Sequence, residues 1–167
     1  MMTADRSPPP SSLSLLVRRI VNGDADRVFR AWTSAGQIMK WWGPSHVSCP
    51  HCEVDLRVGG KYRIANLLPD GSTIWIIGRF LRIEPPRLVQ YSWQFGTDPK
   101  FDANAGERVT VRFLPKGSKT EIIVEHSHIS DRRTRENHSI GWLGCLDGLE
   151  LFLANTDAAG QSDPERP

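Results

Sequence analysis

The sharpest local motif able to do chemistry is Cys49-Pro50-His51-Cys52. Two cysteines separated by two residues can supply half of a zinc site, with His46 or His51 as a third ligand, or can form a redox pair. A redox cysteine of the thioredoxin kind needs a helix N-terminus to stabilise its thiolate. Here the motif runs into a predicted strand, and no second Cys-x-x-Cys exists to complete four ligands. The spacing therefore favours a structural role, leaving Cys49, Cys52, His46 and His51 as weak metal candidates in an otherwise metal-free and cofactor-free reading.

His126 and His128 stand two apart on a predicted strand, so alternation puts both on the face of Ile122 and Val124. His138, on a predicted helix, points toward the same space. Three imidazoles around one cavity could bind a metal or exchange protons near neutral pH. His-x-His is common by chance, and spacing fixes no carboxylate beside it, so His126 is expected to pack at the cavity wall, with His128 and His138 at a wet end. Trp41-Trp42 could line a pocket entrance or simply hold a helix–sheet junction, the commoner use of large aromatics. Arg132, Arg133 and Arg135 crowd the start of the last helix, an end whose dipole already favours anions. They are expected to be solvated rather than to recruit an acidic ligand. Asp55, Arg57, Glu121 and Glu125 could act in acid–base chemistry, but nothing in their spacing pairs them. No nucleophile elbow, phosphate-cradling glycine loop or metalloprotease helix appears.

The elements that must position these groups follow from periodicity. Residues 13–21 form an apolar first strand. Asn22-Gly23-Asp24 turns the chain and caps a short helix carrying Val28, Phe29 and Trp32. A second short helix carries Ile38, Met39 and Trp41, and Gly43-Pro44 ends it. About six strands follow, joined by turns such as Pro69-Asp70-Gly71 and Pro115-Lys116-Gly117. The clearest alternation is Val89, Tyr91, Trp93 and Phe95 against Gln90, Ser92 and Gln94. A polar loop is expected over 96–106. From about Asp131 to Ala154 a long helix presents Trp142, Cys145, Leu146, Leu149, Phe152 and Leu153 on one face. Gly141, Gly144 and Gly148 form a stripe on its flank, which predicts close approach of the helix backbone to a neighbour, since each costs on the order of 1 kcal/mol in a helix interior. Ile140, Leu143 and Leu151 fall on the opposite side, so either the N-terminal segment or a second chain is expected to cover them; a homodimer is the preferred expectation.

The chain has 167 residues, 24% of them charged and 39% hydrophobic, as in a soluble globular protein. A net charge of +2 is too small to argue for nucleic acid, and no apolar run approaches a membrane span. An odd number of cysteines and the lack of an apolar signal core predict a cytoplasmic location. Expected are a disordered segment over 1–12, one α+β domain over 13–154, and a disordered tail over 155–167. Short turns between successive strands imply an antiparallel sheet, with the helices segregated to one face.

Val28-Phe29-Arg30-Ala31-Trp32-Thr33, Trp41-Trp42-Gly43-Pro44 and the stretch Cys52 to Gly60 resemble the successive signatures of one family. Asp70-Gly71, Gly78, Pro85-Pro86-Arg87-Leu88, Gly141-Trp142 and Leu146-Asp147 continue the series in order. The family is the one named after the C-terminal domain of the activator of the heat-shock-90 chaperone ATPase, within the START-like (SRPBCC, Bet v 1-like) helix-grip superfamily. The resemblance implies a bent antiparallel sheet wrapped around a long C-terminal helix, with two short helices after the first strand. It also implies a cavity for an apolar or amphipathic small molecule and a stress-related setting. Trp41, Tyr62, Tyr91, Trp93, Val111, Val124, His126, His138, Trp142, Cys145 and Leu149 are the expected lining. Two rival readings stand beside ligand binding. One is a co-chaperone-like interaction module with a chaperone partner. The other is a cofactor-free enzyme of the cyclase or hydrolase type, with its site assembled from separate strands.

Overall fold

The computed structural model describes residues 13–44, 46–96 and 106–162. The expected disordered segment 1–12, the centre of the expected loop (97–105) and residues 163–167 lie outside the described residues. Strand β1 (Leu13–Asn22) leads into helices α1 (Ala25–Thr33) and α2 (Ala35–Trp41). Strands β2 (Cys52–Val54), β3 (Lys61–Leu67), β4 (Thr73–Glu84), β5 (Leu88–Gly96), β6 (Glu107–Lys116) and β7 (Lys119–Ile129) follow, and α3 (Arg132–Ser162) closes the chain.

Local chemistry explains the boundaries. Asp24 is extended and its carboxylate accepts the Arg27 backbone N–H, capping α1. Ser34 ends α1 and starts α2, which turns the chain between the two helices. Asp131 accepts the Thr134 N–H at 2.8 Å and so caps α3. The last helix runs past Ala154 to Ser162, because no proline intervenes before Pro164.

All neighbouring strands are antiparallel, in the order β1-β7-β6-β5-β4-β3-β2. The first strand therefore pairs with the last, and α1 and α2 are carried round to the face occupied by α3. Arg19 of β1 ties α3 to the sheet by donating to Asp147 at 2.9 Å and Glu150 at 2.8 Å. Near the other end of α2, a Cβ on Gly148 would lie 2.5 Å from the Trp41 carbonyl oxygen, so only glycine permits that approach. The expected glycine stripe is corrected at Gly141, where an added Cβ would meet nothing within 4 Å. That position borders open space rather than a neighbour.

Tryptophans dominate the core between these layers. Trp32 stacks on Trp142 with ring centroids 5.9 Å apart, Trp41 and Trp42 lie 5.5 Å apart, and Trp93 lies 5.5 Å from Trp142. Four of these five indole donors are paired, the exception being the buried Trp93 Nε1, which has no partner among the described residues. Trp32 donates to the Tyr91 hydroxyl, Trp41 to the Ala31 carbonyl and Trp42 to the Asn66 side-chain oxygen.

Candidate functional site: an apolar cavity with a shared-carboxylate histidine pair

A cavity of about 350 Å³ lies between the first half of α3, strands β3 to β5 and the loop after α2. Trp42, Pro44, Val47, Leu68, Ile74, Ile76, Trp93, Phe95, Trp142 and Cys145 form its apolar wall. Asn66, Thr134, Asn137 and His138 supply the polar side chains, and Gly141 adds bare helix backbone. Thr134, Asn137, His138, Gly141, Trp142 and Cys145 recur at helical spacing, so one face of α3 builds one wall. A second, much smaller void of about 20 Å³ sits deeper, among Trp32, Trp41, Tyr62, Phe80 and Tyr91.

Behind His138 on the cavity wall lies a polar cluster built from separate elements. Glu107 begins β6 opposite Trp93 of β5, and Val109, next on the same face, pairs with His126 of β7. His126 is buried, and α3 sets His138 over it, the imidazole rings stacked at 4.4 Å and 15°. One oxygen of Glu107 receives both imidazoles, His126 Nε2 at 2.6 Å and His138 Nε2 at 2.8 Å. Trp142, one turn after His138, donates its indole N–H to His126 Nδ1 at 3.0 Å.

These bonds determine where the protons sit. An indole N–H can only donate, so His126 Nδ1 is an acceptor and the ring proton of neutral His126 lies on Nε2, directed at Glu107. Burial holds His126 below the ordinary imidazole range, although the Glu107 bond pulls the other way. Burial pushes Glu107 up, but the hydrogen bonds from His126 and His138 outweigh it and hold the carboxyl at about 2. The arrangement is an ionised carboxylate shared by two imidazole donors.

Glu107, His126 and His138 bring three ligand atoms within 4.8 Å of one another, as a metal site would. The orientation does not fit one. An ion held by both rings must lie near both ring planes at roughly 2.0–2.1 Å from each nitrogen, and planes stacked at 4.4 Å and 15° do not converge there. Ligation through His126 Nε2 would also leave the ring without a proton while Trp142 donates to Nδ1, the reverse of the donor that normally supports a metal-bound histidine.

Comparison with known proteins agrees with this architecture. Residues 22–154 match the family described as Activator of Hsp90 ATPase homolog 1-like protein. The chain belongs to that family. A crystal structure of a protein from Chromobacterium violaceum is similar with a TM-score of 0.74 at 25% identity, over 84% of this chain and 96% of that one. A crystal structure named as an AHSA1 protein, from Silicibacter pomeroyi, gives 0.74 at 24% identity, over 86% and 99%. A solution structure from Arthrobacter aurescens gives 0.76 at 19% identity, over 89% and 90%, and shows the shared fold alone. No curated protein matches the chain. Family membership carries the helix-grip, START-like architecture with it.

Within this family fold, the residues expected to line one cavity fall into three places. Trp93, His138, Trp142 and Cys145 border the larger cavity, with His126 directly behind His138 and Trp142. Trp41, Tyr62 and Tyr91 border the small deep void instead. Val111, Val124 and Leu149 are fully buried in the core and line neither. His128 is a correction: it is exposed, with φ +64°, beside an irregular register between β1 and β7, so Ile129 rather than His128 returns to the core.

The cysteine motif does not assemble a metal centre among the described residues. Cys49 and Cys52 are buried free thiols, while His46 and His51 are exposed and His51 pairs with Glu53 at 2.7 Å. Burial pushes the Cys49 thiol up, and burial with the neighbouring Cys49 and Glu53 pushes Cys52 up to about 12. Neither is a poised thiolate. Sequence reasoning missed the polar lining residues Asn66, Thr134 and Asn137 and, in the histidine cluster, Glu107. Its signal was parity, because it shares the inward face of Val109, Val111 and Phe113, yet it reads as the polar first residue of a strand.

Proposed function

We propose that this protein binds a small apolar or amphipathic molecule in the cavity between α3 and β3–β5. The observation that carries the reading is the cavity itself, about 350 Å³, walled by aromatic and aliphatic side chains with a few polar groups among them. Such a site draws affinity from apolar burial and orientation from the few polar groups. Family membership supports a ligand-binding helix-grip role. In this reading the protein acts in the cytoplasm and in a stress-related setting, and requires no resident metal. No helix among the described residues is long and apolar enough to cross a membrane.

Gly141 provides the test. A side chain there would enter open space on the cavity wall, so Gly141→Leu should occupy the ligand's volume while removing a helix-destabilising glycine. Native mass spectrometry of protein purified from its own host should show an adduct of a few hundred daltons on the unmodified chain and none on Gly141→Leu. An unmodified chain that carries no adduct and takes up no apolar fluorescent probe would remove the reading.

A second reading, a partner-binding or self-associating surface, is favoured by one observation. Ile140, Leu143 and Leu151 are 67%, 45% and 65% exposed along the outer side of α3. A homodimer, or a chaperone partner of the kind the family name mentions, would cover that face. The masses in the same native spectrum separate a dimer from a monomer.

A further inference from the structure

His138 on the cavity wall carries more information than the cavity's volume. His138 gives its Nε2–H to Glu107, and its Nδ1 has no protein partner among the described residues although the ring borders the cavity. A carboxylate that holds the proton on one imidazole nitrogen leaves the other as a lone-pair acceptor, the logic by which acid–histidine pairs present a base. The second imidazole strengthens this arrangement. His126 stacks on His138 and donates to the same Glu107 oxygen, and Trp142 in turn fixes His126.

We propose that the cavity selects a neutral, largely apolar molecule bearing a hydroxyl group, phenol-like in chemistry, whose O–H donates to His138 Nδ1. This rests on the cavity being the ligand site. A carboxylate-bearing ligand fits less well. The described lining contains no lysine or arginine to balance it, and ionised Glu107 lies immediately behind His138. The groups facing His138 are Glu107 from β6, His126 from β7, Trp93 and Phe95 from β5, and Trp142 on its own helix. None of them offers a second cation. A hydroxyl donor aligned on a fixed acceptor is also the kind of partner a site discriminates well, because a ligand lacking it would cover the His138 nitrogen and leave it unpaired.

The experiment uses three ring-matched probes at about pH 8, where an ordinary imidazole is neutral: 2-naphthol, 2-methoxynaphthalene and 2-naphthoate. The full chain should bind 2-naphthol about tenfold more tightly than the methyl ether, the value of one well-placed hydrogen bond, with the naphthoate weakest. His138→Phe, which keeps an apolar ring in place, should retain the methyl ether and lose the tenfold preference. Equal binding of naphthol and methyl ether would overturn the hydroxyl assignment while leaving the cavity reading standing. Failure of all three to bind would overturn both, and tightest binding of the naphthoate would show a cationic pocket and overturn the assignment. Because His138→Phe could misfold, the tautomer is read on the unmodified protein by nitrogen-15 imidazole resonances. A proton on Nε2 of His138 supports the proposal, and a proton on Nδ1 sinks it.

Discussion

Two regions of this molecule hold the residues best suited to chemistry, and they behave in opposite ways. The loop carrying Cys49 and Cys52 is contiguous, dense in ligand-type side chains, and chemically quiet: burial raises both thiols, and the nearby His51 turns outward to Glu53. The group of Glu107, His126, His138 and Trp142 is scattered over two strands and a helix, yet closes into one hydrogen-bonded cluster at a cavity wall. Density along the chain is thus a poor guide to a site. What distinguishes the second region is that Glu107, His126 and the Trp142 indole are paired donor to acceptor, so their hydrogen bonds fix where the protons sit.

The largest effect that could break this contrast comes from Trp142. Trp142→Ala removes a core indole stacked on Trp32 and leaves His126 Nδ1 without its donor. A loss of about 3–5 kcal/mol in denaturant unfolding is expected, and a loss under about 1 kcal/mol would mean that α3 is not gripped as described.

Next is the shared carboxylate. Glu107→Ala leaves the buried His126 N–H without an acceptor and should cost about 1–3 kcal/mol. Its pH dependence sharpens the point. His126 is lowered from 6.5, so the unfolded chain takes up that proton first, and its contribution, complete above 6.5, is lost as pH falls below it. Glu107 is lowered from 4.5 to about 2, so its contribution is present above 4.5 and is lost as pH falls through about 2. The melting temperature should therefore decline in two acid stages, and Glu107→Gln should shrink the lower one, to which Glu53, Asp70 and Asp131 also contribute. A pH-independent melting temperature between 7 and 3 would contradict the cluster.

The smallest effect belongs to the cysteine loop. Alkylation of Cys49 and Cys52 in the folded protein near neutral pH should be slow, appearing by mass spectrometry only on unfolding. The double change Cys49→Ala with Cys52→Ala should cost about 1 kcal/mol and leave probe binding unchanged. Rapid labelling of either thiol would reverse the comparison.

Much of the architecture was legible because it rests on local periodicity. Alternation in 88–95 and 107–114 marked half-buried strands, Asp24 marked a helix start, and the face from Trp142 to Leu153 marked the gripping helix. The site was legible only in part. His138 and Trp142 could be placed on the inner face of the helix, but their partners, Glu107 and His126, lie 31 and 16 positions away in the chain. Nothing local couples a strand's first residue to a helix so distant.

By itself, then, the sequence determined the order and kind of the elements and which side of each would be buried, since those follow from side-chain hydrophobicity at fixed spacing. Only the tertiary structure decided which inward-facing groups meet. Register set Glu107 beside His126, a register irregularity turned His128 outward, and the seating of Gly148 on Trp41 brought His138 and Trp142 over them. Hydrogen bonds of under 3 Å depend on positions that no local pattern encodes, because packing of the whole sheet and helix determines them together.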